Sequence, residues 1–261
     1  MLNLSELTDK VRALAIEAGD FIREERKKFH REAIEKKHAH DYVSYVDKES
    51  EKKIVTRLKE LLPEAGFIAE EGSGTLNDEQ YCWLVDPLDG TTNFIHDNAP
   101  YCVSIALRSK KELLLGVVYE ICRNECFWTY KGAPSYLNGN EIHVSAISNL
   151  DDSFIALGFP YATEEYKPMA NHLVNTLYGN VAGLRLMGAA AVELCYIAAG
   201  RFEARIEAFI GPWDIAAGTI ILQNAGGMIT DFKGGDSYSS GSQVLASNGR
   251  IHRDLLNIID N

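Results

Sequence analysis

The stretch Trp83-Leu84-Val85-Asp86-Pro87-Leu88-Asp89-Gly90-Thr91-Thr92-Asn93-Phe94 constrains this chain more than any other. Its apolar start reads as a buried strand, and two carboxylates and a Gly-Thr pair follow at once, at the kind of strand end where ligand sites gather. Pro87 fixes one φ and removes a donor, so a sharp turn is expected that points Asp86 and Asp89 into one volume. Two close carboxylates repel unless cations neutralise them. Mg²⁺ prefers such hard oxygen ligands, and two ions about 4 Å apart can share a carboxylate and clamp a phosphoryl group. Gly90-Thr91-Thr92-Asn93 reads as the first turn of a helix, whose unpaired N–H groups and positive dipole end suit an anion. Taken alone, the same residues also make an ordinary surface turn, because Asp-Pro and Asp-Gly are common in loops.

The surrounding composition narrows the partners. With 46% hydrophobic residues in 261, the chain can bury a core in one large domain or two closely packed ones. The formal net charge of −11 argues against a general nucleic-acid or anionic-membrane surface, so an anionic substrate would need local positive charge such as bound metal. Charges recur every few residues from Met1 to Phe29, and no later run approaches the roughly 20 apolar residues of a membrane span. A soluble cytoplasmic protein is expected. Cys82, Cys102, Cys122, Cys126 and Cys195 lack paired Cys-x-x-Cys spacing and read as reduced structural thiols, although Cys122 and Cys126 could oppose one another across a hairpin.

Leu7, Val11, Leu14, Ala18, Phe21 and Ile22 recur at helical spacing, predicting a helix over about residues 5–29 with Ser5 as its cap. Residues 27–45 are charged and read as a mobile loop or extended arm. Asp47 suits the first turn of a second helix that Pro63 stops, a role that capping alone explains. Phe67-Ile68-Ala69 reads as a strand delivering Glu70-Glu71, only one of which can face a given site. Alternating apolar residues from Tyr101 to Tyr130 predict an antiparallel meander. Beyond about Asp151 the pattern becomes α/β: a strand ending at Ala156–Pro160, a helix from about Pro168, an Ala-rich helix after Gly188, a strand over Phe202–Ile206 followed by Glu207, and a helix opened by Gly211-Pro212-Trp213-Asp214. Locally, Asp214 is an N-terminal helix charge and Glu70 a solvent-facing acid.

Asp86-Pro87-Leu88-Asp89-Gly90-Thr91-Thr92-Asn93-Phe94 resembles the metal-binding motif of the inositol monophosphatase family, and Trp213-Asp214-Ile215-Ala216-Ala217-Gly218 resembles its second signature, Trp-Asp-x-Ala-Ala-Gly. Glu70-Glu71 aligns with its Glu-Glu pair, and Lys36 with Asp41 to Asp47 is similar to its Lys followed by Asp-Leu-Val-Thr-x-x-Asp. Arg185 to Ala191 resembles a segment lining the alcohol side of the family pocket, with Ala189 in place of the usual hydroxyl residue.

The resemblance implies an α/β fold, a layered αβαβα sandwich. Its α+β N-terminal half (1–148) would carry the main metal motif, and its α/β C-terminal half (149–261) would complete the site. It implies a Mg²⁺-dependent phosphoric monoester hydrolase that cleaves inositol-1-phosphate or a similar polyol phosphate by metal-activated water. Glu70, Asp86 and the Leu88 carbonyl would hold one Mg²⁺, Asp86, Asp89 and Asp214 a second, and a weaker third would sit beside Glu70. Glu70 and Thr91 would deprotonate the water, with Asp47 and Lys36 assisting from behind. The amides of Gly90 and Thr91 would orient phosphate, while Asp89, Ala190, Glu207 and Asp214 would contact substrate hydroxyls. A homodimer acting on a small phosphate ester, without membrane or direct nucleic-acid binding, is the implied assembly. Fructose 1,6-bisphosphate, histidinol phosphate and 3'-phosphoadenosine 5'-phosphate remain alternative substrates, and a same-fold protein that binds transcription machinery is an alternative of another class.

Overall fold

The computed structural model describes all residues except 1, 31–33, 39–40, 75–78, 161–162, 241 and 261, and the side chains of 31–42, 163 and 240 also lie outside the described residues. Elements follow from local patterning. The apolar stripe Leu7, Val11, Leu14, Ala18 and Ile22 buries one face of α1 (Leu4–Arg26), whose cap is Asn3 rather than Ser5, its side chain accepting from Glu6 N–H. In α2 (Tyr45–Leu61), Ser44 and Asp47 form a reciprocal capping box, and Val46, Ile54, Val55 and Leu58 face inward.

These two helices cover one face of a seven-stranded sheet with the order β3 (Gly66–Ala69), β4 (Tyr81–Asp89), β5 (Cys102–Ser109), β6 (Leu113–Glu120), β7 (Glu125–Tyr130), β8 (Ser135–Leu137) and β9 (Asn140–Ile142). Only β3 and β4 run parallel; the rest is the expected meander. Its other face packs on α5 (Ala190–Ala198) and α6 (Pro212–Asn224), which are apolar nearly all round because they lie between two sheets.

The second sheet has the order β11 (Gly183–Arg185), β10 (Phe154–Leu157), β12 (Ala204–Ala208), β14 (Gln243–Ser247) and β13 (Met228–Thr230). Leu173 and Leu177 of α4 (Thr163–Leu177) and Leu255 and Ile259 of α7 (His252–Asp260) close its outer face. The layers therefore run α, β, α, β, α, the sandwich implied by the sequence resemblance.

Three local expectations are corrected. The charged arm contains a hairpin of β1 (Ile34–His38) and β2 (Asp41–Ser44), which lacks the apolar alternation that announces strands. Helix α4 starts at Thr163, with Pro168 inside it. Glu207 belongs to β12 instead of following it. All five cysteines are free thiols, with only Cys122 exposed. Among the described residues no helix is long and apolar enough to cross a membrane.

Candidate active site

Asp86 and Asp89 are three residues apart, and a regular strand would send them to opposite faces. Strand β4 does not turn at Pro87 as the sequence suggested; it carries a one-residue irregularity there, with Asp86 opposite Ser104 and Asp89 opposite Cys102. The extra residue re-aims the strand and brings both acids to one cavity. Leu88 N–H donates to Asp86 Oδ1 at 2.9 Å, holding the irregularity in place. The chain then enters α3 (Thr91–Ile95) through Gly90, whose φ of +89° and contact with the Pro100 carbonyl leave no room for a Cβ.

Helix α2 braces this strand end from behind. Asp47, Ser50 and Glu51 are fully buried on one face, and each meets a different segment of the site. Thr91 Oγ1 lies 2.9 Å from Asp47 Oδ1 and donates its proton there or to the Leu88 carbonyl, 3.1 Å away. The other Asp47 oxygen accepts from Ser44 N–H and Oγ–H at 2.8 and 2.6 Å. Ser50 Oγ reaches the Pro87 carbonyl at 3.4 Å. Glu51 accepts from Glu71 N–H at 2.7 Å and Ser73 N–H at 2.8 Å, which holds the turn that presents Glu70.

Asp214 comes from the other side, in the first turn of α6, where Gly211 N–H donates to its Oδ2 at 2.7 Å. Glu70, Asp86 and Asp214 come from three segments of the chain and line one cavity, near enough for their charges to act on one another. Burial, and then the charges of Glu70, Asp89 and Asp214, push Asp86 well above the usual carboxylate range; burial, Glu70 and Asp89 do the same to Asp214. Asp89 is raised to about 7, mainly by burial, although Ala190 N–H and Ala191 N–H at the start of α5 donate to it at 3.1 and 2.8 Å.

These residues line a cavity of about 730 Å³. Its wall also includes Gly158, Arg205 and Glu207, and Phe159, Leu186 and Phe209 stand partly exposed along it. Arg205, 1% exposed, donates from Nε to Glu193 Oε2 at 2.6 Å and pairs through Nη2 with Glu207 Oε2. Glu193 Oε1 in turn accepts from Gly188 N–H at 3.0 Å.

The donor set fits Mg²⁺. Mutually repelling carboxylates beside a backbone carbonyl at Leu88 are a hard-oxygen environment. Among the described residues no three His, Cys, Asp or Glu side chains already form a closed cage. Mg²⁺ does not need one, because it keeps several waters and takes one or two carboxylates plus substrate phosphate.

Every proposed ligand and substrate contact thus lies on the cavity: Glu70, Asp86, Leu88, Asp89, Gly90, Thr91, Ala190, Glu207 and Asp214. Asp47 sits one hydrogen bond behind, and the side chain of Lys36 lies outside the described residues. Sequence reasoning missed Glu51, Glu193, Arg205 and Gly158. A carboxylate on the apolar face of α2 and a charge inside the alternating strand around Arg205 were the available signals.

A sequence model described as the inositol monophosphatase family matches residues 3–261. The Nus factor SuhB of Pasteurella multocida is 39% identical over 225 residues, covering 85% of this chain and 84% of that protein. The crystal structure of extragenic suppressor protein suhB from Bartonella henselae has a TM-score of 0.91 at 31% identity, covering 100% of this chain and 99% of that one. Inositol monophosphatase from Anabaena (Nostoc) sp. PCC 7120 gives 0.89 at 31% identity, over 99% and 97% of the two chains. Sequence, fold and the convergence of acids at β4 agree along the whole length, and this chain belongs to the inositol monophosphatase family, a family of metal-dependent phosphatases.

Proposed function

We propose that the chain hydrolyses inositol-1-phosphate or a similar polyol phosphate to the alcohol and inorganic phosphate, with Mg²⁺ as cofactor. The observation that carries this reading is the convergence of Glu70, Asp86, Asp89 and Asp214 on the wall of one cavity. Bound among these oxygens, Mg²⁺ would neutralise phosphoryl charge and lower the pKa of water. Glu70, Asp86 and the Leu88 carbonyl would hold one ion, and Asp86, Asp89 and Asp214 another.

The protein's own groups do the rest. The phosphate lies against the first-turn amides of α3, which have no intrahelical acceptors. Thr91 donates its proton to Asp47 and accepts one from the attacking water at Oγ1, while Glu70 orients that water. Asp89, Ala190, Glu207 and Asp214 receive the alcohol hydroxyls. Phosphate release from inositol-1-phosphate with and without Mg²⁺ tests the reading; turnover that is indifferent to Mg²⁺ overturns it.

A second reading follows from the Pasteurella relative, named a Nus factor. This chain would then also bind transcription machinery through its surface. Asp86→Asn separates the two, since it removes turnover and leaves such binding in place.

A further inference from the structure

An arginine on the alcohol side of a phosphatase cavity invites the reading that it receives a second phosphate. The contacts of Arg205 argue otherwise. Nε is committed to Glu193 and Nη2 to Glu207, while Nη1 is buried with no partner and no accessible surface to offer a ligand. Burial alone would depress the guanidinium's pKa, but Glu207 and Glu193 outweigh it, so the cation persists as the centre of a trio with two carboxylates. Counted as a guanidinium and two carboxylates, the trio has a formal charge of −1. Both Arg205 and Glu207 line the cavity, but Glu207 is the more open of the two, its side chain 16% exposed against 2% for Arg205. Its Oε2 faces Arg205, and its other oxygen lies over Gly158, where an added Cβ would stand 2.2 Å from the Glu207 carboxyl carbon.

We propose that Arg205 is a positioning residue: with Glu193 it locks Glu207 as a fixed acceptor, so that the cavity selects singly phosphorylated esters whose alcohol donates a hydroxyl proton and rejects a second anionic group. The proposal rests on the phosphatase reading above and adds the basis of its substrate choice. A carboxylate accepts hydrogen bonds and donates none, so a hydroxyl or ammonium matches it. A second phosphate, carrying up to two further negative charges, meets the carboxylate of Glu207, and Arg205, the one Lys or Arg among the described residues lining the cavity, is already held by two carboxylates. Glu193 also ties the trio to Gly188 N–H, one turn before the amides that grip Asp89. The hydroxyl-binding end and the phosphate end of the cavity are therefore held by one connected frame.

The test is kcat and KM at fixed Mg²⁺ for inositol-1-phosphate, fructose 1,6-bisphosphate and 4-nitrophenyl phosphate, the last having no hydroxyl to recognise. The wild-type chain is expected to prefer the inositol ester over the bisphosphate by at least about tenfold in kcat/KM. Glu207→Gln is expected to raise KM for the inositol ester about tenfold more than KM for 4-nitrophenyl phosphate. Arg205→Lys is expected to show the same KM pattern although its charge is kept, because an ammonium lacks the planar fork that spans two carboxylates. Equal use of the bisphosphate by the wild type, or an unchanged inositol KM in Arg205→Lys, overturns the proposal. If Arg205→Lys does not fold, Gly158→Ala displaces Glu207 without altering any charge and must give the same KM pattern. Should no ester be cleaved at any Mg²⁺ concentration, the phosphatase reading fails by itself. Calorimetric binding of the two sugar esters then reads the same selectivity, and tighter binding of the bisphosphate sinks it.

Discussion

The Thr91 hydroxyl stands 2.9 Å from the carboxylate of Asp47, a residue 44 positions earlier in the chain. This contact joins the first residue of α3 to the capping box of α2, so one carboxylate both starts a helix and faces the site. Capping alone predicts a stability effect of about 1 kcal/mol, or about 2–4 °C for a chain of this size. A relay role predicts more. In Asp47→Asn, kcat is expected to fall on the order of 10²-fold or more, with melting lowered only by those few degrees. A kcat within about threefold of wild type would leave Asp47 as a cap and nothing else.

Asp86 repels Glu70, Asp89 and Asp214, and cations relieve that repulsion. Mg²⁺ at a hundred times its Kd is therefore expected to stabilise the wild-type chain by about 2.7 kcal/mol. In Asp86→Asn the metal-free protein is expected to melt no lower than wild type, while the gain with Mg²⁺ and the turnover both disappear. Calorimetric scans with and without the ion check this, and an undiminished gain in the variant removes Asp86 from the ligand set.

Glu51 accepts from two N–H groups of the turn bearing Glu70. A glutamine has one carbonyl oxygen for those two donors. Glu51→Gln is expected to raise the Mg²⁺ concentration for half-maximal activity about 10–100-fold, as losses behind a ligand commonly do. An unchanged Mg²⁺ dependence assigns Glu51 to stability only.

His252 is buried between Thr230 Oγ1, 2.9 Å from Nε2, and Ser247 Oγ, 2.8 Å from Nδ1, and burial lowers its pKa from 6.5 to about 4. Below pH 6.5 the unfolded chain binds a proton that the native one refuses, so stability from this site is present above that pH and is lost as pH falls towards about 4. Melting temperatures from pH 7.5 to 4.5 are expected to fall more steeply for the wild type than for His252→Gln. Parallel curves would show that the imidazole charges freely in the native fold.

Residues whose effect is local were legible in the sequence. The spacing of Leu7, Val11 and Leu14 gave α1, Pro63 ended α2, and the apolar run before Asp86 gave β4. The pairing of Asp86 with Asp89 was readable as chemistry, but its geometric cause was not. A turn was expected where the strand continues through an irregular register, because the register depends on Cys102 and Ser104 in the neighbouring strand. Glu51 and Arg205 were silent for the same reason. Each acts on a partner, the Glu71 amide or Glu193, that only tertiary packing brings near. The hairpin of β1 and β2 lacked an apolar face to signal it.

The grip of Ala190 and Ala191 on Asp89 makes the middle helices a transmission between the two sheets. Sliding of α5 along the seven-stranded sheet would drag the carboxylate with it and misalign the oxygens around Asp86. Substitutions at Leu194 or Ala217, apolar and remote from solvent, would then retune catalysis through mechanical linkage, without touching substrate or ion.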